Sequence, residues 1–230
     1  MLPERLSIIV PVYNERATIA AVLARLKSIP LPVPREIIVV DDGSHDGTGA
    51  VLDELAADGS FAVIHAPENR GKGHAIRLGF AQAQGTILAI QDADLELDPA
   101  QLADLVAPIL AGDASVVYGS RFLSGAGSTP AVAYAANRAL TSLTNLLYGA
   151  SLTDMETCYK IMRADVARSL RLEANRFDIE PEITARLLRG GHRILERPVV
   201  FSPRSRAAGK KIGWRDGLAA IGVLIRRRVS

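Results

Sequence analysis

Cysteine is nearly absent: Cys158 is the only one among 230 residues. No intrachain disulfide can form, and a reducing compartment is the natural expectation. Long apolar runs are missing too. The first such run, Leu6–Val12, is interrupted by Pro11 and meets Asn14-Glu15, so it does not read as a secretory leader. Nowhere does an uninterrupted apolar stretch approach the ~20 residues that span a bilayer, and a soluble or peripheral cytoplasmic protein is expected. Charge of one sign is also scarce. Lys and Arg total 27 against 25 Asp and Glu, and a net +2 does not argue for nucleic acid. Internal repeats and linker-like tracts are not found, which favours one domain over residues 1–230.

What is present is ordinary in bulk and uneven in detail. An apolar fraction of 48% suits a globular protein with a sizeable core. Basic residues gather near one end: Arg204, Arg206, Lys210, Lys211, Arg215 and Arg226–Arg228 stand against Asp216 alone. Such a segment suits a phosphate ligand or an anionic membrane surface, and equally a solvated tail.

Short β-branched runs alternate with helical patterns through the first 120 residues, the signature of βαβ units and a mostly parallel sheet. Strands are expected at Leu6–Val12, Glu36–Val40, Phe61–His65, Thr86–Ile90 and Ser115–Tyr118. Helices are expected at Ala17–Ser28, Gly47–Ala57, Gly73–Gln84 and Ala100–Leu110. Beyond Arg121 a loop with Gly125, Gly127 and Pro130 leads to a helix over Val132–Leu147. A helix over Asp178–Arg189 stops at Gly190-Gly191, a strand follows over Arg193–Phe201, and a last helix covers Trp214–Arg228. That last helix places Leu218, Ile221 and Ile225 on one face, to be buried either on the core or in a headgroup layer.

Open α/β sheets bind ligands at the carboxyl ends of their strands. Acids fall at those places: Asp41-Asp42 after the second strand, Asp92-Ala93-Asp94 after the fourth. Two carboxylates separated by one residue can face a divalent cation and leave open positions for a diphosphate. Taken alone, the pair is weak evidence, since acids are common in turns. The ordered set is stronger. Pro11-Val12-Tyr13-Asn14-Glu15, Asp41-Asp42-Gly43-Ser44, Asn69-Arg70-Gly71-Lys72-Gly73 and Asp92-Ala93-Asp94 all lie within the first hundred residues, each at a strand or helix end.

This set resembles glycosyltransferase family 2, inverting enzymes with the fold known as GT-A, over about residues 6–124. The resemblance implies a Rossmann-like, mostly parallel sheet flanked by helices, with residues 1–124 binding a nucleotide sugar and 125–230 forming the acceptor half. It implies that Pro11, Tyr13, Glu15, Val40 and Asp42 line the nucleoside pocket. It places Asp92, Ala93 and Asp94 at the diphosphate, with Asp92, Asp94 and Glu96 holding Mg²⁺ or Mn²⁺. Glu96 stands where the subgroup often has Gln, and His45 is unusual in its motif; no catalytic meaning attaches to it.

Gly119-Ser120-Arg121, the segment Asp154–Lys160 and Phe177-Asp178-Ile179-Glu180 look like the polyprenyl-phosphate sugar transferases. Dolichol-phosphate mannosyltransferase is their best-known member. The implied reaction moves a hexose from a GDP-mannose or UDP-glucose type of donor to a lipid monophosphate at a membrane face. A membrane-anchoring protein partner is compatible with that setting. A phosphate oxygen is already anionic and needs no strong base, only cationic positioning, for which Arg121 and Arg138 are the candidates. Asp94 and Arg121 are then the catalytic pair, and Arg206 and Lys210 sit on a basic loop able to close over the donor. Surface ion pairing is the plain alternative for both Arg121 and Arg138. A hydroxyl acceptor is the alternative chemistry, with Asp154, Glu156 or Glu180 as base. A binding module without turnover is disfavoured by the intact acids. Lys72 reads as a solvated helix-start residue or a phosphate contact, Cys158 as a packed apolar residue, and His65, His74 and His192 as structural.

Overall fold

The computed structural model describes residues 3–203 and a helix over 214–229, with side chains of that helix from 217 onward. In chain order the elements are β1 (Leu6–Val12), α1 (Ile19–Ser28), β2 (Arg35–Asp41), α2 (Thr48–Ala56), β3 (Ala62–His65), α3 (Lys72–Gln82) and β4 (Ile87–Ile90). There follow α4 (Leu102–Leu110), β5 (Val116–Ser120), α5 (Ala131–Tyr148), β6 (Lys160–Arg163), α6 (Ala164–Ser169), α7 (Ile179–Arg189), β7 (Ile194–Pro198) and α8 (Trp214–Val229).

Seven strands form one sheet in the order β3-β2-β1-β4-β6-β5-β7. β1 pairs in parallel with β2 and β4, β2 with β3, and β5 with β7. β6 runs antiparallel between β4 and β5. The mostly parallel sheet is as expected, and strands from both halves of the chain share it. β6 and α6 were not expected from the sequence. Lys160-Ile161-Met162-Arg163 is too short for a periodic signal and opens on a charged residue. β7 is shorter than the alternation over Arg193–Phe201 implied, and Phe201 makes an isolated bridge to Leu97 instead.

Central strands read as apolar runs because helices cover both faces. Ile8, Ile9 and Val10 of β1, Val39 and Val40 of β2, and all of β4 are fully buried. α3 lies against β1 so closely that a Cβ at Gly79 would fall 2.4 Å from Ile9 Cγ2, a contact only glycine permits. The topology has one consequence for function. Because β6 is antiparallel, the residues before Lys160 lie at the same edge as the carboxyl ends of β1, β2, β4 and β5.

Candidate active site at the carboxyl edge of the sheet

At the β1–β2 end the two loops are stitched together. Asn14 adopts a left-handed conformation (φ 53°) that asparagine tolerates, and its backbone N–H donates to Ser44 Oγ at 2.9 Å. His45 donates its backbone N–H to Asn14 Oδ1 at 3.0 Å, and its ring lies 5.8 Å from that of Tyr13. Glu15 is buried and accepts from Thr18 Oγ1 at 2.9 Å. Val40 is wholly inside the core, while Pro11, its register partner on β1, is partly exposed. His65 bridges Asp41 and Asp53 at 3.0 and 3.1 Å, as a structural histidine would.

Asp42 is buried and turned toward the loop before α3. Its carboxylate accepts from Asn69 Nδ2 (2.9 Å), Arg70 N (3.1 Å) and Gly71 N (2.6 Å), with His74 Nδ1 at 3.3 Å. It therefore ties the end of β2 to the loop before α3. The glycines of this loop serve packing. A Cβ at Gly73 would meet Ala174 O at 2.5 Å, and the backbone N–H groups of Gly73 and His74 donate to the carbonyls of Arg176 and Asn175. With those donors engaged, the loop is no phosphate cradle.

Lys72 departs from the first of its two sequence readings, the solvated helix start. It is neither solvated nor turned outward: its ammonium lies 2.8 Å from Asp92 Oδ1 and 2.9 Å from Glu180 Oε1, with the side chain only 13% exposed. Burial disfavours the charge, yet Asp92 and Glu180 more than offset this and hold the Lys72 pKa well above its ordinary value. For Asp92, burial opposes ionisation, but Lys72 outweighs it and keeps the carboxyl below its usual range. Glu180 is the bridge of a chain of charges. Its other oxygen lies 2.5 Å from the ammonium of fully buried Lys160. Lys160 also donates to the carbonyls of Met155 and Thr157 and sits 4.8 Å from the Tyr118 ring centre.

The turn after β4 carries the acids expected there. Asp94 Oδ1 accepts from Glu96 N at 3.1 Å, and between them Leu95 is left-handed at φ 62°, a strained state for a leucine. Ala93 is buried, and Glu96 lines a neighbouring hollow with Arg25, Asp98 and Gln101. Among the described residues no three carboxylate, imidazole or thiol groups converge as a closed cation site. Two hard-oxygen donors at one strand end fit an open site whose remaining positions a diphosphate would fill.

At the end of β5, Arg121 grips Asp154 in bidentate fashion, Nε to Oδ2 at 2.7 Å and Nη2 to Oδ1 at 2.8 Å. Asp154 is fully buried, takes a further bond from Asn137 Nδ2 at 3.2 Å, and so orients the guanidinium rather than reaching a ligand. The rings of Phe122 and Phe201 flank the guanidinium at 5.1 and 5.3 Å. Arg138 of α5 donates to Thr153 O at 3.3 Å, which brings both arginines to the same loop. Glu196 of β7 fixes that loop by accepting from the N–H groups of Thr153 and Asp154. Cys158 is buried behind Asp92, its thiol pushed well up by burial, a packed residue rather than a nucleophile. Glu156 alone among the acids of this loop stands apart: its Oε1 is buried with no hydrogen bond among the described residues, and burial raises its pKa to about 7.

Arg204, Arg206 and Lys210 lie outside the described residues. Of the remaining candidates, Tyr13, Glu15, Asp42, Asp92, Asp94, Arg121 and Arg138 fall along one sheet edge, with Val40 and Ala93 packed beneath it. Lys160 and Glu196 had no sequence-based role, and nothing local marks them. Their importance comes from partners about 20 and 42 residues away.

The chain is similar to proteins already known. An undecaprenyl-phosphate mannosyltransferase of Micrococcus luteus is 33% identical, over 95% of this chain and 92% of its own length. A polyprenol monophosphomannose synthase of Mycolicibacterium smegmatis is 30% identical, over 91% and 82% respectively. Glucosyl-3-phosphoglycerate synthase of Mycobacterium tuberculosis, crystallised with Mn²⁺, UDP and glucosyl-3-phosphoglycerate, shares the fold. Its TM-score is 0.74 at 20% identity, covering 98% of this chain and 80% of that one. The family described as Glycosyl transferase family 2 matches residues 7–171, the stretch that holds β1 to β6 and every acid of the site except Glu180 and Glu196. The chain belongs to glycosyltransferase family 2.

Proposed function

We propose that the chain moves a hexose, with inversion, from a nucleoside-diphosphate sugar to a polyprenyl-type monophosphate. The observation that carries this reading is Arg121. A guanidinium held in a fixed plane by a buried carboxylate, beside Arg138 and across β6 from Asp92, suits a phosphate nucleophile delivered toward the donor. A hydroxyl acceptor would need a base; Asp154 and Glu180 are both engaged in ion pairs, which leaves Glu156, unbonded among the described residues and raised to a pKa of about 7, as the candidate for that second reading. The acceptors named in the two mannosyl-transferring relatives support a lipid phosphate.

The donor would lie along the edge, nucleoside against Pro11, Tyr13, Glu15 and the loop tied by Asp42, diphosphate at Asp92–Asp94. Asp92 and Asp94 would hold Mg²⁺ or Mn²⁺, and Glu96, which lines the neighbouring hollow, would have to turn toward them to join. The divalent ions in the crystallised glucosyl-3-phosphoglycerate synthase support that assignment. When bound, such a cation offsets the charge that grows on a departing diphosphate. Arg206 and Lys210 keep their proposed place on the donor side.

Replacing Arg121 tests the acceptor assignment. Arg121→Ala is expected to lower transfer to polyprenyl phosphate by about 100-fold while nucleoside diphosphate binding changes little, and Arg121→Lys to recover only part of the loss. Equal losses in transfer and in nucleotide binding would move Arg121 to the donor diphosphate.

A lipid acceptor places the enzyme at a membrane surface, and α8 suits that location. No described helix is long and apolar enough to cross a membrane. Leu224 buries the inner face of α8 against Met155, Ala185, Leu140, Leu143 and Leu147, Ala220 is buried as well, and Tyr148 donates its hydroxyl to Leu224 O at 2.7 Å. Arg227 reaches Glu173 and Glu182 at 2.5 and 2.6 Å. Of the face expected to be covered by the core or by a headgroup layer, Leu218 is 59% and Ile225 50% exposed, with Val229 beyond them, which supports the second. Exposed Arg226 and Arg228 border it, as an interfacial helix on anionic lipid requires. Changing Leu218, Ile225 and Val229 together to serine should leave the fold intact and abolish low-salt sedimentation with anionic vesicles. Unchanged sedimentation would remove α8 from the membrane contact.

A further inference from the structure

Among the described residues, Glu156 Oε1 is a buried carboxylate oxygen of the site with neither hydrogen bond nor ion pair. Every neighbour in its loop is tied down. Asp154 holds Arg121, Met155 N donates to Thr141 Oγ1 at 3.1 Å, and Thr157 Oγ1 donates to Gly119 O at 2.5 Å. Cys158 packs beneath Ile90 O, Tyr159 donates its hydroxyl to Gln91 Oε1 at 2.7 Å, and Lys160 pairs with Glu180. Glu156 sits at the centre of this fixed loop with Oε1 buried and unbonded among the described residues, yet the residue retains partial exposure. Leaving a buried carboxylate oxygen without a partner is costly, so its position calls for a partner that arrives with substrate.

The sheet order says which part of the substrate that is. The nucleoside side of the site lies at β1 and β2, the acids for the diphosphate at β4, and the phosphate-binding arginine at β5. β6 falls between β4 and β5, and Glu156 precedes it at the same edge. A nucleotide sugar laid along this edge from β2 toward β5 brings its hexose to β6. An anionic phosphate is a poor partner for a carboxylate, whereas a sugar hydroxyl is a good one.

We propose that Glu156 receives a hydroxyl of the transferred hexose and thereby takes part in choosing the sugar. This rests on the reading of the chain as a nucleotide-sugar transferase. Lys160 and Arg121 favour its charged form, while Glu180 and Asp154 oppose it. The role is substrate positioning, distinct from proton abstraction.

The experiment measures binding and transfer for GDP-mannose, UDP-glucose, GDP and UDP with the full chain and with Glu156→Gln and Glu156→Ala. Glu156→Ala is expected to weaken the preferred nucleotide sugar by about 10- to 100-fold and leave the bare nucleoside diphosphate unchanged. Glu156→Gln, which keeps a hydrogen-bonding oxygen, should recover much of that loss. A deoxy donor lacking the contacted hydroxyl should bind wild type as poorly as Glu156→Ala binds the parent sugar, with no added loss when both changes are combined. Equal weakening of sugar nucleotide and bare diphosphate would overturn the assignment. So would a collapse of kcat in Glu156→Gln at unchanged donor binding, which would mark a general base. Failure of the wild type to bind any nucleotide sugar would instead overturn the transferase reading beneath it.

Discussion

Replacing Lys72 with methionine is expected to destabilise the protein by about 3–5 kcal/mol, the range for removing one partner of a buried ion pair. The ammonium stands between Asp92 and Glu180, at 2.8 and 2.9 Å, and methionine leaves both carboxylates facing each other without it. Lys160 still serves Glu180, so the deficit falls mainly on Asp92. In a chain of this size the loss corresponds to a fall in Tm on the order of 10 °C, read by calorimetry or circular dichroism. Lys72→Arg keeps the charge and should lose less. An unchanged Tm for Lys72→Met would mean that the side chain is solvated after all.

The second large effect is on catalysis. Asp94→Ala should lower transfer by at least about 100-fold, equivalent to roughly 3 kcal/mol of transition-state stabilisation, while the circular dichroism spectrum stays that of wild type. Asp94 is partly exposed and accepts from Glu96 N within its own turn, outside the buried core. Wild-type turnover should also vanish in excess EDTA. Near-normal activity of the variant, or of wild type in EDTA, would remove the proposed cation from the account.

These two residues also illustrate what could and could not be read from the sequence. Asp94 was legible because its signal is local: a buried strand, then an acid pair at the carboxyl end. Lys72 was not, since its partners come from the end of β4 and from α7, and no pattern near residue 72 announces them. The same holds for Lys160, whose burial depends on Glu180 and which opens a four-residue strand too short to show a period. Gly71 and Gly73 were visible as special positions, but sequence cannot separate room for a phosphate from room for the backbone of Ala174–Arg176. In α8 the apolar stripe was legible, but the sequence left open whether the core or a headgroup layer would cover it. The buried face uses a small alanine, one leucine and an ion-paired arginine, and so looks less hydrophobic than the exposed one.

The central claim is that a nucleotide sugar and a lipid phosphate meet along one edge of the sheet, between Asp94 and Arg121. The most direct measurement is the identity of the product. The purified chain is incubated with GDP-mannose or UDP-glucose, Mn²⁺ and a polyprenyl monophosphate in detergent, and the lipid fraction is analysed by mass spectrometry. The account predicts a polyprenyl phosphate heavier by one hexose residue, with the sugar joined through the phosphate, inverted at its anomeric carbon, and absent when Arg121→Ala replaces wild type. Hexose found only on hydroxyl acceptors added to the same mixture, with the lipid phosphate left unmodified, would contradict it.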